Sequence, residues 1–372
     1  MQSKILAINT SYTRGGAGFT AKSIQNNNSD RDILCENYYI CNDIKISFPL
    51  FFLRRYLNIL FYRLFGISGI FNIYFYLKLL KSLSQYKIVH LHNIHGYYIP
   101  FYIIKRIAND KKLVITMHDY HYATGGKAYV IPNQKYPLEL IDRSKLRKLM
   151  YYNFINSKNP VIIVPSKLMM YKLNDMGFKY HNIKVIYNGI FDLNKTYHIP
   201  KKVDNIIRFC FIANKINEGI KGFDTLLKAI KYINLTNIEI YIIGNGKIKS
   251  SDPRIKNLGP VKNENIYEII SCFDALISTS LDETFGRTVI EARGLGLQVI
   301  CTNIPIYHET LINDALFFDV NNFKELSVLM NFFCNNLPTY ESRVSKSSEI
   351  RHRFSIQKMN EEYSKVYKDI LN

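Results

Sequence analysis

Short apolar runs that alternate with helix-length amphipathic segments constrain this chain more than any other feature. The runs fall at 4–9, 33–40, 87–91, 112–117, 160–164 and 183–187, and again at 207–213, 238–243, 274–279, 298–302 and 315–319. Within Ile5-Leu6-Ala7-Ile8 or Leu113-Val114-Ile115 the apolar residues are continuous instead of alternating with polar ones. Strands of that kind are buried on both faces, the condition of a parallel sheet covered by helices. The pattern therefore predicts an α/β chain of doubly wound parallel sheets.

A chain of 372 residues is too long for one ordinary core and suits two domains of about 150 to 200 residues. After Ile186-Tyr187-Asn188-Gly189 comes a polar stretch, 192–206, and the order of strand, glycine loop and helix restarts at Phe209. The expected division is a Rossmann-like domain over 1–195, a second over 196–350, and a terminal helix over 351–372 that packs back toward the first. Two such halves would face each other across a cleft. Hydrophobic residues at 47% and charged ones at 21% exclude a disordered chain.

The formal charge of +19 calls for an anionic partner: nucleic acid, a phosphorylated metabolite or an anionic membrane surface. A Lys-, Asn- and Ile-rich residue usage accounts for part of it. No RNA- or DNA-binding module is recognisable, so nucleic acid is not expected. Cysteines 35, 41, 210, 272, 301 and 334 form no CxxC pair and read as small hydrophobes in a reducing compartment. The opening Met1-Gln2-Ser3-Lys4-Ile5-Leu6 runs straight into a strand with no leader-like pattern, so the expected location is cytoplasmic.

Segment 47–80 is crowded with Phe, Tyr, Leu and Ile and is interrupted by Arg54, Arg55, Arg63 and Lys78. Its longest uncharged run, Leu64 to Leu77, is shorter than the roughly 20 residues of a spanning helix. Two readings stand: helices lying in a membrane interface with arginines among the headgroups, or a buried helix pair completing the first domain.

The strongest chemical signal runs from Ser278 to Ala292, STSLDETFGRTVIEA. A strand ends in a short polar loop and a helix starts near Gly286. In open α/β sheets ligands sit beyond the carboxyl ends of the strands, where first-turn amides and the helix dipole favour a diphosphate. Gly286 would let a phosphate approach the backbone. Glu283 in the loop and Glu291 a turn into the helix can accept paired hydroxyls. A solvated helix face is the plain alternative for such glutamates. A second loop, Gly219-Ile220-Lys221-Gly222-Phe223-Asp224, offers a lysine to an anion, with Lys215 nearby. A third, Arg14-Gly15-Gly16-Ala17-Gly18, exposes amides but lacks the dinucleotide spacing. A fourth, His118-Asp119 with Thr124-Gly125-Gly126, puts a histidine at a strand end where it can meet a hydroxyl. His90, His92 and His95 lie near the end of the preceding strand, and a metal is their sharp alternative; with no matching Asp/Cys cluster or H-E-x-x-H spacing, none is expected. No G-x-S-x-G elbow and no Walker A lysine appears.

Taken together, these residues resemble the retaining glycosyltransferases of family 4, which have the GT-B fold. The resemblance covers nearly the whole chain: Gly15-Gly16, Thr116-Met117-His118-Asp119, Val164-Pro165-Ser166, Tyr187-Asn188-Gly189, Lys221-Gly222-Phe223-Asp224, Gly244-Asn245-Gly246, and Glu283 to Glu291 around Phe285-Gly286. It implies that Glu283 holds the donor sugar and that His118 approaches the sugar ring, these two being the catalytic pair. It implies a donor-binding set of Gly16, Lys215, Lys221, Phe285, Gly286, Arg287, Thr288 and Glu291, with Glu291 on the ribose and Lys221 on the diphosphate. Gly15 and Asp119 fall on the acceptor side. No metal or other cofactor is implied, because lysine and helix amides replace a divalent cation.

The implied reaction moves a hexose-type sugar, with retention, from a UDP- or GDP-sugar to a lipid-linked saccharide in capsule, O-antigen or exopolysaccharide assembly. An enzyme of that kind would sit peripherally on the inner membrane through 47–80. One departure bears on this: Ala213-Asn214-Lys215 stands where the family has a Gly-Arg pair, and Cys301-Thr302-Asn303 lacks a frequent glycine. Lysine lacks arginine's bidentate fork, which leaves a catalytically weak nucleotide-sugar-binding or scaffold protein as the alternative.

Overall fold

The computed structural model describes residues 3–9, 15–26, 33–39, 48–67, 69–92, 99–130, 143–178, 183–262, 265–312 and 314–372. They fall into two compact units, Met1–Gly189 with Ile356–Asn372, and Ile190–Ser355. The chain changes unit ahead of the expected residue 195 because Ile190 and Phe191 are both buried and donate their amides to Phe354 O, at 2.8 and 3.2 Å.

The first unit is built on six parallel strands, β1 (Ser3–Asn9), β2 (Ile33–Tyr39), β3 (Ile88–His92), β4 (Lys112–Thr116), β5 (Val161–Val164) and β6 (Ile183–Val185), in the order β2-β1-β3-β4-β5-β6. Helices α1 (Gly15–Asn26), α2 (Phe48–Phe65), α3 (Ile73–Ser82), α4 (Phe101–Asp110), α5 (His121–Thr124), α6 (Ser144–Lys158) and α7 (Lys167–Asp175) lie between them in the chain. The continuous apolar runs are explained by burial on both faces. Leu6, Ile8, Val89, Leu91 and Ile115 join one core. Ile5, Ala7, Ile88, Val114 and Ile163 join another, closed by Met359, Tyr363, Val366 and Tyr367 of the last helix. Each such Val, Leu or Ile side chain contributes about 1.5–3 kcal/mol on full burial.

The second unit repeats the logic with β7 (Ile207–Lys215), β8 (Ile238–Asn245), β9 (Ile255–Gly259), β10 (Ala275–Ser278), β11 (Gln298–Thr302) and β12 (Leu316–Phe318), all parallel, in the order β12-β11-β10-β7-β8-β9. Its helices are α8 (Phe223–Ile230), α9 (Ile266–Ser271), α10 (Arg287–Gly294), α11 (Pro305–Leu311), α12 (Phe323–Asn335) and α13 (Tyr340–Arg353); α14 (Ile356–Leu371) belongs to the first unit. Strand β9 has no counterpart among the apolar runs. It is an edge strand with Lys256, Asn257 and Leu258 exposed, held by its ladder to β8 and not by apolar burial. In each unit the strand order reverses once, between β1 and β3 and between β7 and β10. Ligands of open α/β sheets settle beyond the strand ends at such a reversal.

Segment 47–80 combines features of both sequence readings. Asn58, Tyr62, Tyr76 and Leu79 are buried, whereas Leu53, Tyr56, Phe65, Ile67, Phe71 and Leu77 are exposed. The side chains of Arg55, Arg63 and Lys78 lie outside the described residues. Among those described, no helix is long and apolar enough to cross a membrane. Asn58 latches the segment: its Nδ2 donates to Asn72 Oδ1 at 3.0 Å and its Oδ1 accepts from Phe71 N at 3.1 Å. Replacing a buried, doubly bonded amide strands its partners, at about 1–3 kcal/mol. Asn58→Ala should lower unfolding stability by that amount in urea melts; an unchanged midpoint would show that the latch is dispensable.

Candidate functional site

The β7–β10 reversal sets two loops against each other. Lys221 ends a single 3-10 turn, Gly219–Lys221, and Gly222 follows at φ +61°. A Cβ on Gly222 would come within 2.1 Å of Thr279 O, so the close approach of the two loops, as well as the left-handed backbone, requires glycine. Thr279 Oγ1 donates to Lys221 O at 2.7 Å, and Leu281 N donates to Ile220 O at 2.8 Å. From the other side, Thr302 Oγ1 donates to Ser280 O at 2.6 Å. These bonds fix the direction of two side chains. Lys221 Nζ lies 2.5 Å from Glu283 Oε1, with 19% and 17% of the side chains exposed. Ser280 Oγ donates to the same carboxylate oxygen at 3.2 Å.

Helix α10 begins on Gly286, at φ +74°. The sequence suggests that this glycine makes room for a phosphate. In the structure a ring packs against it. A Cβ there would meet Tyr307 Cε1 at 2.7 Å, and the Tyr307 hydroxyl lies 2.8 Å from Ser278 Oγ. One turn into α10, Glu291 Oε1 accepts from Arg287 Nε at 2.7 Å and from the Tyr267 hydroxyl at 3.4 Å. Burial, then the Glu291 carboxylate, pushes the Tyr267 phenol up, so it stays a donor. Burial works against the Arg287 cation, and Glu291 and Tyr267 together more than offset it, raising its pKa. Each glutamate of the pair is thus answered by one cation and one hydroxyl.

Of the other residues expected here, Thr288 is half-buried in the first turn of α10. Phe285 is turned inward, its ring edge-on to Phe354 at 5.6 Å between centroids. Lys215 and Asn214 are exposed at the end of β7. Sequence reasoning misses Tyr267, Thr279 and Tyr307. Thr279 lies inside the conspicuous loop, but Tyr267 and Tyr307 sit on separate helices, and only the packing shows their role. A cavity of 520 Å³ lined by Lys202, Asp204, Arg208, Asp274 and Arg343 lies at the amino ends of β7 and β10, away from these loops. Its Lys202 is paired with Asp274 at 2.8 Å and its Arg208 with Asp204 at 2.7 Å.

In the first unit Gly15 and Gly16 open α1 after β1, and Arg14 lies outside the described residues. Asp119 Oδ1 accepts from His121 N at 2.9 Å, tying down the start of α5. His118, half-buried just past β4, is drawn into a cluster. Its Nε2 lies 3.2 Å from His92 Nδ1; His92 Nε2 lies 3.2 Å from His90 Nδ1. His90 in turn meets Thr116 Oγ1 at 2.7 Å and the Tyr367 hydroxyl at 2.6 Å. Burial, with a smaller contribution from His118, pulls the His90 pKa down to about 3. Among the described residues no group of three His, Cys, Asp or Glu side chains is placed to hold a metal; His95 lies outside them.

A family model described as Glycosyltransferase Family 4 matches residues 40–192, and one described as Glycosyl transferases group 1 matches 207–330. The chain belongs to glycosyltransferase family 4. HepE of Anabaena, solved with UDP and glucose, superposes with a TM-score of 0.69 over 99% of this chain and 100% of that one, at 16% identity, so the fold is GT-B. A 41.2 kDa protein of the cps region of Klebsiella pneumoniae, uncharacterised, is 23% identical over 95% of this chain and 97% of its own. The Escherichia coli O-antigen biosynthesis glycosyltransferase WclY is 28% identical over 50% of this chain and 55% of that protein. In this family 4 glycosyltransferase the second GT-B unit carries Lys221, Glu283, Arg287 and Glu291, and the first carries His118 with its two buried histidines.

Those histidines link protonation to stability. The folded His90 pKa of about 3 lies below the unfolded value of 6.5, so the unfolded chain binds a proton that the folded one refuses. Stability from this residue is intact above pH about 6.5 and is lost as pH falls toward 3, by at most about 1.4 kcal/mol per pH unit. In denaturant melts His90→Gln should show a shallower loss than the parent protein across that window. Parallel curves would refute the burial of a neutral His90.

Proposed function

We propose that this glycosyltransferase moves a hexose from a nucleoside-diphosphate sugar to a lipid-linked saccharide in bacterial surface-polysaccharide assembly, with retention at the anomeric carbon and without a metal. The observation that carries the reading is the placement of Lys221 against Glu283, beside the start of α10 and at the β7–β10 reversal. A lysine and a helix N-terminus answer a diphosphate; a glutamate answers sugar hydroxyls. Glu291, one turn further on, takes the ribose hydroxyls. Arg287, already a cation beside Glu291, adds charge at the start of α10, while at the end of β7 Asn214-Lys215 stands in place of the family's usual arginine.

In the reaction the bond between the anomeric carbon and the diphosphate oxygen breaks and the acceptor oxygen bonds on the same face. The departing diphosphate takes up the acceptor proton. Lys221 and the first-turn amides of α10 stabilise the charge that develops on it, the electrostatic term that dominates such transfers. His118 addresses the sugar ring, Gly16 the donor, and Gly15 and Asp119 the acceptor side. Support for a lipid-linked acceptor comes from the exposed Leu53, Tyr56, Phe65, Phe71 and Leu77 on a chain of charge +19. Apolar side chains that enter the headgroup layer, with basic residues beside them, suit an anionic membrane surface. A relative of the O-antigen type fits the same setting.

The Asn214-Lys215 departure favours one other reading, a donor-binding protein without turnover. Release of free nucleoside diphosphate from UDP- or GDP-sugars by the purified chain excludes it. Within the main reading, Glu291→Ala should weaken donor binding in calorimetry by about 10- to 100-fold, the loss of charged hydrogen bonds worth about 1.5–3 kcal/mol. Unchanged affinity in a folded variant would remove Glu291 from the ribose.

A further inference from the structure

Three histidines on one face of the first sheet are arranged more closely than core filling requires. His90 and His92 sit two apart on β3, so both point to the same face. His92 is the register partner of Thr116 on β4, and His118, two residues beyond Thr116, continues that parity. This is the face covered by α14, whose Tyr363 hydroxyl lies 3.1 Å from Thr116 Oγ1. The rings of His90 and His92 stand 3.9 Å apart, and those of His92 and His118 stack at 5.5 Å and 27°. His90 and His92 are fully buried, beside a core of Ile, Ala, Val, Met, Cys and the two tyrosines of α14. Buried imidazoles are costly unless their nitrogens are bonded, and here both nitrogens of each ring are.

We infer that His92 is a positioning residue for His118, fixing its ring orientation and tautomer through a chain that ends on His90, Thr116 and Tyr363. A neutral imidazole has one donor nitrogen and one acceptor. Whichever way the first bond of the chain points, every later bond follows. If His118 Nε2–H donates to His92 Nδ1, then His92 Nε2–H donates to His90 Nδ1 and His90 Nε2–H to Thr116. If Thr116 donates to His90 Nε2, each donor and acceptor reverses. The first sense leaves the His118 proton on Nε2 and the second leaves it on Nδ1, so within either sense His118 holds one tautomer, as a histidine meeting a sugar hydroxyl requires. The titratable groups facing His92 are His90 on its own strand, His118 beyond β4, and, through His90 and Thr116, Tyr367 and Tyr363 on α14. Burial, then His90 and His118, keeps His92 from taking a proton near neutral pH. The chain therefore presents His118 with an uncharged partner across the working range.

The inference rests on the glycosyltransferase reading for its catalytic consequence but not for its structural one. The test uses the full chain with whichever UDP- or GDP-sugar it turns over. His92→Phe keeps a flat ring and removes both nitrogens. It should lower kcat about 10- to 100-fold, the penalty of a misplaced group, move the acid limb of the pH–kcat profile, and leave KM for the donor within about twofold. His92→Asn, whose amide falls near the position of Nδ1, should recover about tenfold of that loss. A folded His92→Phe variant with parental kcat and pH profile, or an Asn variant no better than Phe, overturns the assignment. Should His92→Phe fail to fold, nitrogen-15 imidazole shifts of the unmodified protein decide, with His118→Gln assigning the signals: widely separated Nδ1 and Nε2 shifts for His118 uphold a fixed tautomer, and averaged shifts overturn it. A chain that turns over no nucleotide sugar fails the functional reading alone, because the shifts still report on His92.

Discussion

The hydrogen bond from Thr279 to the carbonyl of Lys221 is the constraint on which the second unit's chemistry depends. It joins the loop after β7 to the loop after β10, the two strands at the reversal of the sheet. Parallel order makes these loops neighbours, and a glycine whose Cβ would collide with Thr279 O lets them touch. Once they touch, a lysine and a glutamate far apart in sequence share one point in space. The ion pair at 2.5 Å is a consequence of backbone packing, not a surface accident. It is also partly buried, where a carboxylate and an ammonium cost more to separate than in water.

The arrangement has a chemical logic of exchange. Glu283 and Glu291 carry the negative charge that sugar hydroxyls seek, and each is matched by a cation, Lys221 and Arg287, that phosphate oxygens seek. A donor molecule brings both hydroxyls and phosphates, so it can divide each pair without leaving a buried charge unanswered. In the proposed reading a nucleoside diphosphate without its sugar brings phosphates to the cations and ribose to Glu291 but leaves Glu283 unanswered. The first unit solves its own electrostatic problem differently: His90 and His92 are buried without charge and bonded to each other, to Thr116 and to Tyr367 of α14.

Much of this is legible in the residues. Eleven strands announce themselves because strands buried on both faces must be apolar along their length, as Ile5 to Ile8 and Leu113 to Ile115 show. The edge strand β9 does not, because it is held by a backbone ladder and leaves Lys256 to Leu258 exposed. Lys221, Glu283 and Glu291 stand out because chemistry-bearing residues cluster at strand ends. Their pairing is hidden, since it depends on loops from β7 and β10 that meet although 58 positions apart in the chain. The role of Gly286 is hidden for the same reason: Tyr307, the ring it accommodates, arrives from α11. His90 and His92 show as a suspicious pair, but their parity with His118 needs the β3–β4 register.

The claim that the donor divides the Lys221–Glu283 pair is tested most directly by calorimetry on Glu283→Gln with two ligands, a nucleoside diphosphate and the corresponding nucleoside-diphosphate sugar. Removing the carboxylate's charge releases Lys221 to the phosphates, while the sugar loses its charged acceptor. The expected result is tighter binding of the nucleotide alone and weaker binding of the sugar nucleotide. A change of the same sign and size for both ligands would contradict it.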